Sequence, residues 1–409
     1  MSEHMETVII GGGQAGLATS YWLTQHGREH VILEQAAQAA NAWRNGRWDS
    51  FTLVTPNWAT RMPGMESPSA DPNGFMPRDE LVAYFEQYIE RFRLPVRYNT
   101  RVTSVEQDGA GYVVKTDHGT LSAKNVVVAT GLFQRPKIPA FGAKIDAGIT
   151  QLHSGAYRHP HSISPGAVLV IGSAQSGCQI AEELYQSGRR VYLCLGTAGR
   201  MPRRYRGKDI YEWVHLTGFL DRTPDKLPSL RARFAGNPQL SGKDGGHALN
   251  LHQFARDGVT LLGRITNAAD HTITLAPDLK ENLAKSDGGE ADFCKMVDGY
   301  IEQKGLDAPR EELPQLRDGY NTPEMLELDL KAAGITTIVW AMGYSFDFSL
   351  VRLPTFDADG FPVQQRGVTN YAGLYFIGMP WMPWQKSGLL LGVGEAAEHI
   401  AAHIAARPA

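Results

Sequence analysis

Two glycine-rich hexapeptides carry the strongest chemical signal in this 409-residue chain: Gly11-Gly12-Gly13-Gln14-Ala15-Gly16 and Gly172-Ser173-Ala174-Gln175-Ser176-Gly177. Each leaves a short apolar, β-branched run and opens into a helical pattern. A loop of this kind sets unpaired amides and a positive helix end against a pyrophosphate. One such loop is a weak signal, but two imply that two dinucleotides are held at once. The chemistry that needs both is electron transfer between them, so the first hypothesis is a flavin–nicotinamide oxidoreductase. In the first loop Gly11 permits the tight turn, Gly13 lets amides approach the pyrophosphate, and Gly16 lets the helix pack close to the strand. Glu34 follows at the end of the next strand, where an acid accepts bonds from adenosine ribose hydroxyls. In the second loop Ala174 replaces the middle glycine, and no acid stands at the corresponding strand end. Arg200, Arg203, Arg204, Arg206 and Lys208 come instead. Arginines hold a 2′-phosphate that an acid would repel, so the second nucleotide reads as NADPH, with Arg200 and Arg204 as candidate phosphate ligands.

The elements that must position these loops are strands over 8–10, 31–33, 168–171 and 190–195, with helices over 15–23 and 177–187. A strand over 126–129 runs into Thr130-Gly131, and 338–341 repeats the pattern into Met342-Gly343. This matched pair marks crossings between two domains, and Pro136 and Pro139 stiffen the first exit. The expected fold is α/β, with two Rossmann-like dinucleotide-binding domains and the NADPH domain inserted in the FAD domain. Its division is 1–160 for the first part of the FAD domain, 161–335 for the NADPH domain, and 336–409 for the return segment. The return segment holds a strand ending in Gly378, a Trp381–Gly388 stretch containing Gln385, and a helix over 389–405 whose start is aimed at the flavin ring. Gly378 and Gln385 are therefore candidate cofactor contacts. Residues 41–58 lack an amphipathic period and read as a loop wrapping the flavin. Residues 221–250 and 280–325 read as insertions without an assignable chemistry.

Composition narrows the class. Hydrophobic content of 43%, 20% charged residues and a formal net charge of -3 describe a soluble globular chain with no case for nucleic acid. Cys178, Cys194 and Cys294 are too few for a disulfide framework and form no CxxC, which disfavours disulfide shuttling and suits a reducing cytoplasm. No apolar run is long enough to span a membrane, and Met1–Glu6 leaves no room for a signal peptide. Carboxylates at metal-ligand spacing are absent, so no metal is expected. His247 and His252 read as packing or surface residues.

These residues together resemble the flavin-containing monooxygenase family, the class B flavoprotein monooxygenases, over nearly the whole chain. The resemblance rests on both loops, Val127-Val128-Ala129-Thr130-Gly131, His153-Ser154-Gly155-Ala156-Tyr157-Arg158, and Trp340-Ala341-Met342-Gly343-Tyr344. The family fingerprint Phe-x-Gly-x-x-x-His-x-x-x-Tyr/Phe is half present: His153 and Tyr157 stand, while Ala147 and Ile149 replace the Phe and Gly. By position, the resemblance implies flavin contacts at Trp43 and Arg44 and a catalytic amide at Asn57; it gives His153 a structural role in linking the domains. It implies that NADPH reduces FAD, that O2 forms a C4a-(hydro)peroxyflavin, and that NADP+ stays bound to shield it. The ending in Tyr157, not Trp, favours oxygenation of nitrogen or sulfur in a small organic substrate. Carbonyl oxygenation (Baeyer–Villiger insertion or 2-oxo-acid decarboxylation) and a non-oxygenating NADPH oxidase or redox sensor are the alternatives. The partners expected are this substrate and O2, without nucleic acid or membrane; a homodimer is compatible.

Overall fold

The run ending at Ile10 forms the inner half of strand Glu3–Ile10, and Val8 and Ile9 have no exposed surface. In the computed structural model, which describes residues 3–408, this strand lies between parallel neighbours His30–Leu33 and Gly119–Val128. Burial on both faces explains why the run is continuously apolar and does not alternate. Val96–Arg97 extends one edge, and Leu374–Phe376 pairs in parallel with the far side of Val126–Val128. The outer half of Gly119–Val128 turns into an antiparallel meander with Val102–Asp108 and Gly111–Thr116.

A second, wholly parallel sheet has the strand order Thr150–His153, Ile335–Trp340, Ala167–Ile171, Val191–Cys194, Thr260–Leu262. The chain leaves the first sheet through Arg135–Pro136 and returns through Tyr344–Ser345, and these two linkers pair antiparallel with each other. The second sheet is thus inserted between strands of the first, and the fold is the expected α/β pair of dinucleotide-binding units. Thr150–His153 and Ile335–Trp340 hydrogen-bond within the second sheet, although the division at 160 and 336 leaves the first strand outside it and cuts the second. The crossings lie at the linkers.

Helix Leu390–Ala405 packs on helix Gln14–Gln25, and the Trp22 indole donates to Gly394 O at 3.2 Å. Residues 280–325 are not an irregular insertion throughout: most belong to the 26-residue helix Leu279–Lys304. Residues 221–250 consist of short 3-10 turns, a Leu240–Ser241/His247–Ala248 hairpin and connecting chain. Among the described residues no helix is long and apolar enough to cross a membrane.

Candidate functional site

The two loops have one backbone geometry. Gly11 and Gly172 adopt φ of +108° and +109°. A Cβ on Gly11 would lie 2.7 Å from Ala129 O, and one on Gly172 2.6 Å from Ala341 O. A Cβ on Gly16 or Gly177 would fall 2.0 or 1.8 Å from the carbonyl of Gly11 or Gly172. These glycines are steric requirements of a strand–turn–helix closed on itself. Gly13 and Ala174 are the helix N-caps, with φ/ψ of −82°/−175° and −77°/−174°, and no side chain caps either helix. The leading amides of Gln14, Ala15, Gln175 and Ser176 are therefore available to an anion. Around Gly13 a Cβ would meet nothing within 4 Å, so the first cradle is open. The segments after Ala129 and Ala341 complete the duplication: their amides bond Ile10 O and Ile171 O at 2.9 and 2.8 Å, and Gly131 and Gly343 have φ of +67° and +74°. Thr130-Gly131 thus flanks the first loop and Met342-Gly343 the second.

Glu34 is held by two backbone amides. Its Oε2 accepts from Gly12 N at 2.7 Å and its Oε1 from Ala36 N at 2.8 Å. Each oxygen keeps acceptor capacity for a ribose hydroxyl. At the second loop the Ser173 hydroxyl accepts from Gly196 N at 2.9 Å, tying the glycine-rich turn to the turn after strand Val191–Cys194.

The basic cluster behind the 2′-phosphate reading is largely neutralised within the chain. Arg200 is buried and makes a two-pronged pair with Glu290 at 3.1 and 2.6 Å. Arg203 pairs with Asp209 and Arg206 with Asp298, both at 2.7 Å, and Lys208 lies 3.5 Å from Glu212. Arg204 has no carboxylate partner, but it donates to the carbonyls of Gly245 and Gly246. It borders a cavity with Glu182 and Tyr185, two turns beyond the start of helix Gln175–Gln186. Among the described residues Arg200 Nη1 is buried and has no hydrogen-bond partner. Glu290 lies 90 residues after Arg200 in the chain, on a helix whose existence the sequence did not signal.

Residues 41–58, expected to wrap the flavin, are more ordered than a loop: helix Asn41–Arg44, strand Thr52–Pro56 and 3-10 turn Asn57–Ala59. Trp43 is half-buried, 6.0 Å from the Phe51 ring, with the Arg47 guanidinium 5.1 Å over its own ring. Arg44 pairs with Glu86 at 2.6 Å and keeps a buried Nε without a partner. Asn57 is buried; its Nδ2 donates to Asp71 O at 2.9 Å, while its Oδ1 has no partner among the described residues. A buried carbonyl oxygen left unbonded costs about 1–3 kcal/mol, so Asn57 fits a site completed by a donor on a bound group. The next residue, Trp58, lines an open cavity of about 440 Å³ with Pro72, His215 and Leu216.

The return segment meets the first loop directly. Gln14 Nε2 donates to Gly388 O at 2.7 Å, and a Cβ on Gly378 (φ +83°) would lie 2.5 Å from Ala15 Cβ. Gln385 is engaged by the chain itself: its Oε1 accepts from Arg222 Nη2 at 2.7 Å.

The fingerprint residues hold the junction. His153 Nε2 donates to Gly343 O at 2.9 Å and its Nδ1 accepts from Gly155 N at 3.2 Å, so both ring nitrogens serve the linker. Burial pushes its pKa below the usual histidine range, which suits a neutral structural ring. Sequence reasoning missed two partners. Arg158 donates to the carbonyls of Asn45, Arg47, Gly155 and Tyr157, clamping the segment that follows helix Asn41–Arg44. Glu183, on the second helix, accepts from Ser50 Oγ at 2.7 Å and Tyr157 OH at 2.8 Å. Arg158 closes the His153–Arg158 motif and was legible as a candidate; Glu183 gave no local signal. The three cysteines are free, with Cys178 and Cys194 buried. Burial pushes the Cys194 thiol up to about 12, which does not suit thiolate chemistry.

Comparison with known proteins agrees with this geometry. The family described as pyridine nucleotide-disulphide oxidoreductase matches residues 8–214. An uncharacterized CzcO-like oxidoreductase of Geobacillus kaustophilus is 32% identical over 98% of each chain. The "Probable indole-3-pyruvate monooxygenase YUCCA1" of Arabidopsis thaliana is 31% identical over 49% of each. A flavin-containing monooxygenase from Stenotrophomonas maltophilia superposes with a TM-score of 0.66 over 98% of each chain at 20% identity, a likeness of fold. The chain belongs to the pyridine nucleotide-disulphide oxidoreductase family.

Proposed function

We propose that this protein is an NADPH-dependent FAD monooxygenase that transfers one oxygen atom from O2 to nitrogen or sulfur of a small organic molecule. The observation that carries the reading is the duplicated cradle: two uncapped helix starts with the same glycine geometry, flanked by equivalent strand ends. FAD, when bound, supplies the redox chemistry by taking a hydride from NADPH and activating O2. Gly11, Gly13, Gln14, Ala15 and Gly16 hold its pyrophosphate and Glu34 its ribose. Gly172, Ser173, Ala174, Gln175, Ser176 and Gly177 hold NADPH. The absence of an acid after strand Val191–Cys194 supports a 2′-phosphate; Arg200 and Arg204 are each hydrogen-bonded within the chain. Trp43, Arg44, Thr130, Gly131, Gly378 and Gln385 flank the flavin, and Met342-Gly343 the nicotinamide nucleotide. The free Oδ1 of Asn57 is the acceptor we assign to the flavin's reactive edge, with the cavity beside Trp58 as the substrate's approach. The free cysteines support a cytoplasmic setting.

The test is NADPH oxidation by the FAD-loaded protein under isotopically heavy O2 with a panel of amines, sulfides and 2-oxo acids. One heavy oxygen in an amine or sulfide product is expected. A second reading, decarboxylating oxygenation of a 2-oxo acid, is favoured by the likeness to the indole-3-pyruvate monooxygenase, and heavy oxygen in the shortened acid would select it. Peroxide equal to the NADPH consumed with every compound would overturn both.

A further inference from the structure

Residues 222–239, to which the sequence assigned no chemistry, form a strap between the two domains. At one end Arg222 holds Gln385 of the return segment, and Gln385 N donates back to Arg222 O at 3.0 Å. Midway, Arg233 pairs with Asp357 at 2.7 Å and lies 4.1 Å over the Phe361 ring. The strap then passes over the second dinucleotide loop. A Cβ on Gly236 would touch Ala174 Cβ at 3.4 Å and Ala198 Cβ at 3.9 Å, so this segment walls the space that is open at Gly13.

It ends at Gln239, which is wholly buried. Gln239 Nε2 donates to Ser173 O at 2.7 Å and to Ala198 O at 3.3 Å. Its Oε1 accepts from Ser286 Oγ at 2.9 Å, and its backbone amide donates to Gly199 O at 3.1 Å. Both amide hydrogens are used. In a trans peptide the carbonyl and the next N–H point in opposite directions, so a bond on Ser173 O fixes the direction of Ala174 N–H. The bond on Ala198 O does the same for Gly199 N–H. One side chain thereby sets two turns against each other: the phosphate turn and the turn after the second strand, where such units hold the adenosine ribose.

We infer that Gln239 is a positioning residue for the nicotinamide dinucleotide, and that the strap is the outer wall of its site. The inference rests on the reading that the second loop takes NADPH. The first measurement is NADP+ binding to the FAD-loaded wild-type chain by calorimetry; absence of binding would bring down that reading together with this one. With wild-type binding in hand, Gln239→Leu should raise the NADP+ Kd at least about tenfold, the loss of one or two buried bonds. The NADPH concentration for half-maximal anaerobic flavin reduction should rise in parallel. The saturated reduction rate should stay within about threefold, and FAD content should be unchanged, because no residue of the first loop is touched. Unaltered NADP+ affinity in Gln239→Leu overturns the inference and leaves the functional reading standing. Equal losses of FAD and NADP+ also overturn it, since they mark general destabilisation. Should Gln239→Leu fail to fold, Ser286→Ala removes only the bond to Oε1. A several-fold rise in NADP+ Kd then supports the inference, and an unchanged Kd refutes it.

Discussion

Gly13→Ala separates the two demands that the first loop places on its glycines. At Gly11 and Gly16 a methyl collides with backbone carbonyls, so substitution there damages the fold. Gly13 differs: its φ of −82° is open to any residue, and a Cβ would meet no atom within 4 Å. Alanine should cost some N-cap preference and regain some chain entropy, each below about 1 kcal/mol and of opposite sign. The ligand-free protein should therefore unfold in urea within about 1 kcal/mol of wild type. The methyl would project into the space where the helix amides meet pyrophosphate. Displacing the anion from one or two charge-assisted bonds costs about 2–4 kcal/mol, roughly 30- to 700-fold in FAD Kd. The assay is FAD titration of ligand-free protein by flavin fluorescence, beside urea unfolding of the same sample. Wild-type FAD affinity in Gly13→Ala would refute the assignment of this loop to the pyrophosphate; joint loss of stability and affinity would refute the claim that the space is empty. The second loop naturally carries this methyl, at Ala174. That suits a cosubstrate that binds and leaves more than a tightly held flavin.

Other consequences can be checked with single substitutions. Arg200→Gln should destabilise the chain by about 3–5 kcal/mol, because it leaves Glu290 buried and unpaired, while leaving the preference for NADPH over NADH unchanged; urea unfolding and cofactor kinetics together test both halves. Glu183→Ala strips Ser50 and the buried Tyr157 hydroxyl of their shared acceptor and should cost about 2–4 kcal/mol in the same unfolding assay. His247, hydrogen-bonded to Glu182 at 2.7 Å, has a raised pKa, first because of that bond. Its stabilisation is full below the unfolded value near about 6.5 and is lost as pH rises through the higher folded value. Because the ring is partly exposed, the effect stays below about 1 kcal/mol. The melting difference between wild type and His247→Gln should be larger near about pH 6 than near about pH 8.5, and equal differences would contradict the linkage.

The parts of this molecule that were legible in the sequence are those fixed by local backbone constraints. Gly11, Gly16, Gly172 and Gly177 are each required by a collision within a few residues or with the adjoining strand end, and Glu34 is picked out by its place directly after strand His30–Leu33. The duplicated crossings were legible because two short apolar runs end alike in small residues. What could not be read depends on chain segments far apart. Arg200 reads as a free cation in the sequence because its partner Glu290 sits far along the chain, on helix Leu279–Lys304. That helix was itself concealed by Gly288, Gly289 and Gly299, which weaken a helical pattern. Gly289 is there for packing: a Cβ would lie 3.1 Å from Gly199 Cα and 3.2 Å from Arg200 O. The strand Thr150–His153 carries no mark in the sequence of the sheet it joins. Gln239 and Glu183 are ordinary polar residues in the sequence. Only the fold brings one to Ser173 of the second loop and the other to Ser50.

The central claim, that two dinucleotides meet in this chain so that one can oxygenate a substrate, is tested most directly by stopped-flow absorbance. The FAD-loaded protein would be reduced anaerobically with NADPH and mixed with O2. The account predicts flavin reduction followed by a long-lived band between about 360 and 390 nm before oxidised flavin returns. No reduction by NADPH would contradict the assignment of the second loop, and direct return to oxidised flavin with stoichiometric peroxide would contradict oxygenation.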